Sequence, residues 1–297
     1  MRVSNRQMTN IVKSDLFKNA QQLLNAEERV ATRKLINKPS DDPIGMGKVL
    51  DYRKTLSSID QYNNNIVSAK SRTEFTDALM VNLHDLLGQA EQIVAEHSNG
   101  LDPELRQGVV QEVEGIYDQV LAIANTKFNG AYLFAGHKTD TQPFADDGSY
   151  NGDSGQINII VGEDAQVRIN LTGDEVFTGV GVTNGTNVFD DLKALKDALE
   201  ADPFVASDVS SLADNLAKGV NQIEGAAVSQ SITYRLLETT ENHLDKFRYS
   251  IVDMLSKIED ADLATAIVEL QAQETAYEAA LATAAKMFNR RSLIDFL

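Results

Sequence analysis

From Ile59 to Val94 the chain keeps one unbroken rhythm. Ile59, Tyr62, Ile66, Ala69, Thr73, Thr76, Met80, Leu83, Leu87, Ala90 and Val94 follow one another in alternating steps of three and four. That is the heptad of a helix packed along another helix, sustained too far for an ordinary surface helix. The spacing predicts one helix from about Pro43 to His97. At about 1.5 Å per residue, such a helix is a rod about 75 Å long. Ser98-Asn99-Gly100 ends it, and Asp102 with Pro103 starts a third helix. Leu105, Val109, Val113, Ile116, Val120 and Ile123 form its apolar stripe, and the short loop makes it an antiparallel neighbour.

Both ends of the chain carry weaker versions of the same pattern. A first helix, about Asn5 to Leu35, spaces Val12, Leu16, Asn19, Leu23, Ala26 and Val30 by the heptad. Read alone, the stripe fits an ordinary core helix equally well. Asn and Ala in the stripe, and no aromatic anchor beyond Phe17, favour a weak seam. Near the other end, a stripe of Leu244, Phe247, Ile251, Met254 and Ile258 breaks at Glu259-Asp260-Ala261-Asp262. A second stripe then runs through Leu263, Ile267, Leu270, Glu274, Tyr277, Leu281, Ala284 and Phe288. A chain end is normally where order is lost, so a seam carried this far needs a partner. Ordering the first helix costs more backbone entropy than its few seam side chains recover. The segments before Pro39 and after Asp262 are therefore expected to be largely disordered in the free chain and to pair on assembly.

Between the first two helices stands Pro39-Ser40-Asp41-Asp42-Pro43. The prolines stop one helix, and the Ser and Asp residues cap the next. Two neighbouring aspartates also suit a metal, but no His or third acid accompanies them. After Asn125 the aromatic and glycine residues alternate through Gly136, as in a turn leading to a short hairpin. Gln156–Val161 and Gln166–Leu171 read as two half-buried strands around a turn at 162–164. Helices return at Val188–Leu199 and in a long helix from Val209, capped by Ser207-Asp208, to about Ile258. The fold class is mainly α, a long antiparallel helical rod or coiled coil with both termini paired and a small β-rich inserted domain. The expected parts are 1–38 and 263–297 as terminal coiled-coil segments, 39–138 and 207–262 as a helical rod, and 139–206 as a β-rich insert with one helix.

Composition narrows function. The formal net charge of -17 opposes nucleic acid and anionic membrane surfaces, which require clustered Lys and Arg. With no Cys there are no disulfides, Cys-zinc sites or thiol nucleophiles. No apolar run reaches the roughly 18 residues of a membrane span, and the first residues lack the apolar core of a cleaved signal peptide. With no Trp and 6% aromatic residues, the core is expected to be aliphatic. Gly152-Asp153-Ser154-Gly155 resembles a serine-protease turn, but the nearest His, His137, sits in a Gly-rich turn without a protease frame. Gly179, Gly181 and Gly185 miss the spacing of a dinucleotide loop. Asp146, Asp147 and Asp153 lack the alternation of a calcium loop. Asn170-Leu171-Thr172 and Asn184-Gly185-Thr186 match the glycosylation pattern, which is common by chance. His84, His97, His137 and His243 are scattered. The chain reads as an assembly protein and not as an enzyme, with no cofactor and no metal.

Six stretches, taken in order, resemble the flagellin superfamily. They are Met1-Arg2-Val3-Ser4, Pro39-Ser40-Asp41-Asp42-Pro43, Ala124-Asn125-Thr126-Lys127 with Gly130, Leu133-Phe134 and Gly136, Tyr150-Asn151-Gly152-Asp153-Ser154-Gly155, Ile258-Glu259-Asp260-Ala261-Asp262-Leu263, and Ser292-Leu293-Ile294-Asp295-Phe296-Leu297. One departure stands out: the family commonly has Gly shortly before the second motif, where Arg33 stands here. The resemblance implies a structural protein of the bacterial flagellum, at the junction between hook and filament, with the filament subunit as the alternative. It implies D0-like termini, a D1-like rod and a D2-like insert. It also implies extracellular localisation after type III export without a cleaved signal. The implied partners are copies of the chain in a ring-like or helical oligomer, hook-associated protein 1, flagellin, and an export chaperone at the C-terminal region. Nucleic acid and membrane insertion are not implied. The residues expected to carry assembly are Val12, Leu16, Leu23, Val30, Leu263, Ile267, Leu270, Tyr277, Leu281 and Phe288, with Pro39, Ser40, Asp41, Asp42 and Pro43 as the helix break.

Overall fold

The chain is described here by a computed structural model covering the backbone of residues 2–98 and 100–289 and the side chains of 7–98 and 100–286. The helices are α1 (Arg2–Thr32), α2 (Pro43–His97), α3 (Pro103–Ala124), α4 (Val188–Glu200), α5 (Ala206–Ser211), α6 (Ala213–Glu259) and α7 (Leu263–Asn289). Between α3 and α4 lie strands β1 (Lys127–Phe128), β2 (Ala131–Tyr132), β3 (Asn158–Ile160) and β4 (Gln166–Arg168), and a π-helical turn at Asp174–Thr178. The chain divides into two units. One is built from its two ends, up to Ser58 and from Lys246; the other is Ile59–Asp245. Helices α2 and α6 contribute to both.

In the central unit the heptad of α2 becomes its buried edge. Every member from Ile59 to Val94 is buried except half-buried Tyr62. Helix α6 runs antiparallel to α2. Lys70 meets Glu241 at 2.8 Å, the Tyr234 hydroxyl donates to Glu74 at 2.9 Å, and His84 lies 3.6 Å from Glu224. Helix α3 adds Val110, Val113, Ile116, Val120 and Ala124 to the core, while Leu105, read as part of its stripe, is exposed. Asp102 caps α3 by accepting the Glu104 N–H at 3.2 Å, with Pro103 in the first turn.

Two antiparallel hairpins lie between α3 and α4. In β1–β2 the register Lys127↔Tyr132 and Phe128↔Ala131 leaves Asn129-Gly130 as a two-residue loop. Their φ angles of 51° and 85° are those of the turn that matches strand twist, which Asn-Gly adopts at little cost. In β3–β4, Ile159 pairs with Val167, and Val167 joins Val161 and Ile169 against Ile66, Ala69 and Leu237.

Two features differ from the sequence reading. The core is not uniformly aliphatic. Phe134, Phe144, Phe177 and Phe189 are fully buried together, with ring centroids 5.0–5.7 Å apart. The few aromatic residues are concentrated where the insert meets α3 and α4, and large rings fill the gap between irregular loops and helices. The helix expected from Val209 is also split. Helix α5 ends at Ser211, Val205 at its start offers no side-chain cap, and α6 begins at Ala213. Ser210 and Ser211 donate to the carbonyls of Ser207 at 3.0 Å and Asp208 at 2.7 Å, competing with the helical ladder at that turn.

Charge is divided unevenly. The unit of the two ends has 17 Lys and Arg against 14 Asp and Glu, a net +3. The remaining 10 and 30 give Ile59–Asp245 a net −20.

Candidate assembly surface of the paired terminal helices

Helix α1 packs against α7 and runs antiparallel to it. Arg29, near the end of α1, meets Glu269, near the start of α7, at 3.1 Å. The side of α1 shielded from solvent carries Val12, Leu16, Asn19, Leu23, Ala26 and Val30, of which only Ala26 is buried. On α7 the shielded row is Ala266, Leu270, Gln273, Tyr277, Ala280 and Ala284, again in steps of four and three. Among the described residues, the buried members of the pair, Ala26, Ala266 and Ala284, are all alanine. Small side chains let two helices approach closely but bury little apolar area, so the pair is held weakly.

Three further large side chains of α7 lie outside this row. Leu263, Ile267 and Leu281 are exposed by 41%, 40% and 44%. They form a row about a fifth of a turn round the helix from the row that meets α1. Glu274 belongs to this exposed row. The pattern read from the sequence shares Leu270, Tyr277 and Ala284 with the covered row. The Phe288 side chain and Ser292–Leu297 lie outside the described residues, as do Met1 and the side chains that follow it through Arg6. On α1, Phe17 is 73% exposed, with Leu24 one heptad later on the same side.

The helix break is built by its two aspartates. Asp41 Oδ2 accepts the N–H groups of Asn37 at 3.1 Å and Lys38 at 3.0 Å, closing the turn after α1. Asp42 Oδ1 accepts the Ile44 N–H at 3.1 Å, and the Asp42 carbonyl accepts from Met46 at 2.9 Å. Asp42 is therefore the cap of α2, with Pro43 in its first turn. Pro39 and Ser40 are exposed in the turn. Gly45, which the sequence reading passed over, is buried where a side chain has no room: a Cβ would sit 2.3 Å from Asp42 Oδ2 and 2.6 Å from Ile36 Cδ1. Its position three residues after the capping Asp was the available signal. At the second break, Asp262 caps α7. It accepts the Thr265 hydroxyl at 3.1 Å and the Ala264 N–H at 3.0 Å, which hold its carboxyl below the usual value.

The Gly-Asp-Ser-Gly stretch builds a turn. Asp153 Oδ1 accepts the N–H groups of His137 at 2.7 Å and Gly155 at 2.9 Å. The His137 ring pairs with the Gln156 carbonyl, and Ser154 donates to Asp174 at 2.6 Å. Serine and imidazole therefore have separate partners and form no nucleophile–base pair. The Tyr150 hydroxyl lies 2.9 Å from the Phe134 carbonyl and 2.8 Å from that of Asp153, tying this turn to the aromatic core. Among the described residues, no group of three or more His, Asp or Glu is placed to hold a metal, and no helix is long and apolar enough to cross a membrane.

Long antiparallel helices, paired α1 and α7, and small hairpins make a mainly helical fold similar to that of flagellar hook-associated proteins of known structure. Residues 3–139 match the family described as the bacterial flagellin N-terminal helical region. The chain is 27% identical over 238 residues to flagellar hook-associated protein 3 of Escherichia coli, covering 79% of this chain and 74% of that protein. It is 26% identical over 183 residues to the protein of the same name in Salmonella typhimurium, covering 61% and 58%. Its fold matches that of a flagellar hook-associated protein from Vibrio parahaemolyticus, with a TM-score of 0.68 at 21% identity over 74% of this chain and 100% of that one.

Proposed function

We propose that the chain is a structural, non-enzymatic component of the bacterial flagellum. It joins the hook, through hook-associated protein 1, to the flagellin filament. In this reading the segments 1–38 and 263–297 polymerise, 39–138 with 207–262 form the supporting helices, and 139–206 is the outer part. The chain leaves the cell through the flagellar type III route without a cleaved signal, with an export chaperone at its C-terminal region. Its other partners are further copies of itself, hook-associated protein 1 and flagellin.

The observation that carries this reading is the mismatch within α7. Alanine supplies half of the α7 row that meets α1, while Leu263, Ile267 and Leu281 stay about two-fifths exposed beside it. Covering the remaining two-fifths of three such side chains is worth about 2–4 kcal/mol per copy, a gain available only from a neighbour. The similarity to hook-associated protein 3, which extends over most of the chain, favours the junction over the filament. The test is a deletion strain: hooks should persist while flagellin appears unassembled in the medium. Complementation with Leu281→Asp should fail to restore filaments, although the purified variant keeps its helical circular dichroism because the site is exposed. Filaments restored by Leu281→Asp would remove this row from the mechanism. Finding the chain as the main component of sheared filaments would instead make it the filament subunit.

A further inference from the structure

The connection after α1 and the connection before α7 meet as a short antiparallel ladder. The Leu35 N–H donates to the Glu259 carbonyl at 2.6 Å, and the Ala261 N–H donates to the Arg33 carbonyl at 3.0 Å. Lys34 and Asp260 face each other between these bonds. At the centre is the Glu259 side chain, which is only 4% exposed. A buried carboxylate has to be paired to remain charged. Glu259 Oε1 takes two cations: Lys34 Nζ at 2.5 Å, from the ladder itself, and the Arg53 guanidinium, from α2. Both cations are partly exposed, so the carboxylate is the shielded member of the group.

We propose that Glu259 is the latch that fastens the connections of the α1–α7 pair to the base of α2. Its position makes this role specific. It is the last residue of α6, its main chain holds one connection, and its side chain bridges that same connection to α2. Among the described residues, contacts along α1 and α7 fully bury only alanine side chains. The ladder is only two hydrogen bonds wide, and two-stranded pairings are marginal alone. Neutralising Glu259 leaves Lys34 and Arg53 beside each other without their shared anion. The ladder then opens, while α2 and α6, whose apolar contacts lie elsewhere, stay folded. The inference takes the ladder to be formed in the free chain, unlike the expectation of disorder before Pro39 and after Asp262, so an absence of protection at Leu35 and Ala261 in the parent would also overturn it; it does not depend on the assembly reading.

Hydrogen exchange on the full-length monomer tests it. In Glu259→Gln the amides of Leu35 and Ala261 should exchange at least about tenfold faster than in the parent, with those of Val49 and Ile251 unchanged. Cleavage within 33–38 and 260–262 by a nonspecific protease should accelerate in parallel. Arg53→Gln, which leaves Lys34 on the carboxylate, should give a smaller acceleration at the same two amides, and it serves if Glu259→Gln does not fold. Unchanged exchange at Leu35 and Ala261 would overturn the proposal. So would an acceleration spread equally to Val49 and Ile251, because Glu259 would then support the whole unit. Failed assembly with normal exchange would count against the latch without touching the proposed function.

Discussion

Arg33 holds a backbone conformation that its side chain disfavours. Helix α1 ends at Thr32, and Arg33 follows with φ of 58°, in the left-handed region. There an L-residue with a Cβ pays about 1–2 kcal/mol that glycine does not. Arg33→Gly removes that cost but adds freedom to the unfolded chain, worth about 0.4–1 kcal/mol in the opposite direction. The net expectation is a gain of about 0.5–1 kcal/mol. The Arg33 carbonyl keeps its bond from Ala261, so the ladder geometry is not altered. Every 1.4 kcal/mol is a factor of ten, so protection of the Leu35 and Ala261 amides from hydrogen exchange should rise about two- to fivefold. Arg33→Ala is the control: it shortens the side chain but retains Cβ and should give no such gain. Equal or lower protection in Arg33→Gly, or an equal rise in Arg33→Ala, would refute the argument. The resemblance to a family that commonly has glycine near this point has its physical counterpart in this one angle.

Gly45→Ala should destabilise the unit of the two ends by about 1–3 kcal/mol, seen as a lower thermal midpoint, because the new Cβ meets Asp42 and Ile36. The Asp262 cap should be pH-dependent. Its carboxyl is held below the usual 3.8, so its contribution is complete above that value and is lost as pH falls through the lowered one. Protection of the Ala264 amide, measured against its intrinsic exchange rate at each pH, should therefore fall in acid in the parent, and Asp262→Asn should flatten that response. Self-association of the purified chain should increase between about 20 and 300 mM NaCl, because screening relieves repulsion between central units of net −20. A decrease in light scattering with salt would mean that opposite charges drive the contact.

Much of the fold is legible in the sequence because its periodicity is strict. The steps from Ile59 to Val94 specify both a helix and the side of it that is buried, since the largely apolar residues at that spacing fall on one face. The same holds for the Asp42-Pro43 and Asp102-Pro103 starts, where the cap needs only residues within one turn. Asn129-Gly130 likewise encodes its own hairpin. These are local or periodic constraints, and one chain segment is enough to impose them.

The rest depended on what each segment meets. On α7 two neighbouring rows are both spaced for a seam, and periodicity cannot choose between them. Packing against α1 does: the row rich in alanine comes closest, and Leu263, Ile267 and Leu281 are left outward. The positive φ of Arg33 arises because the chain must turn from α1 into a ladder with residues more than 200 positions away. Glu259 looked like one acid in a polar break, and only the approach of Lys34 and Arg53 makes it a buried bridge. The sequence by itself determined long helices, where α2 and α3 start, and which face of α2 is covered. Tertiary structure decided which row of α7 stays free, because that choice rests on the size of the side chains of a distant partner.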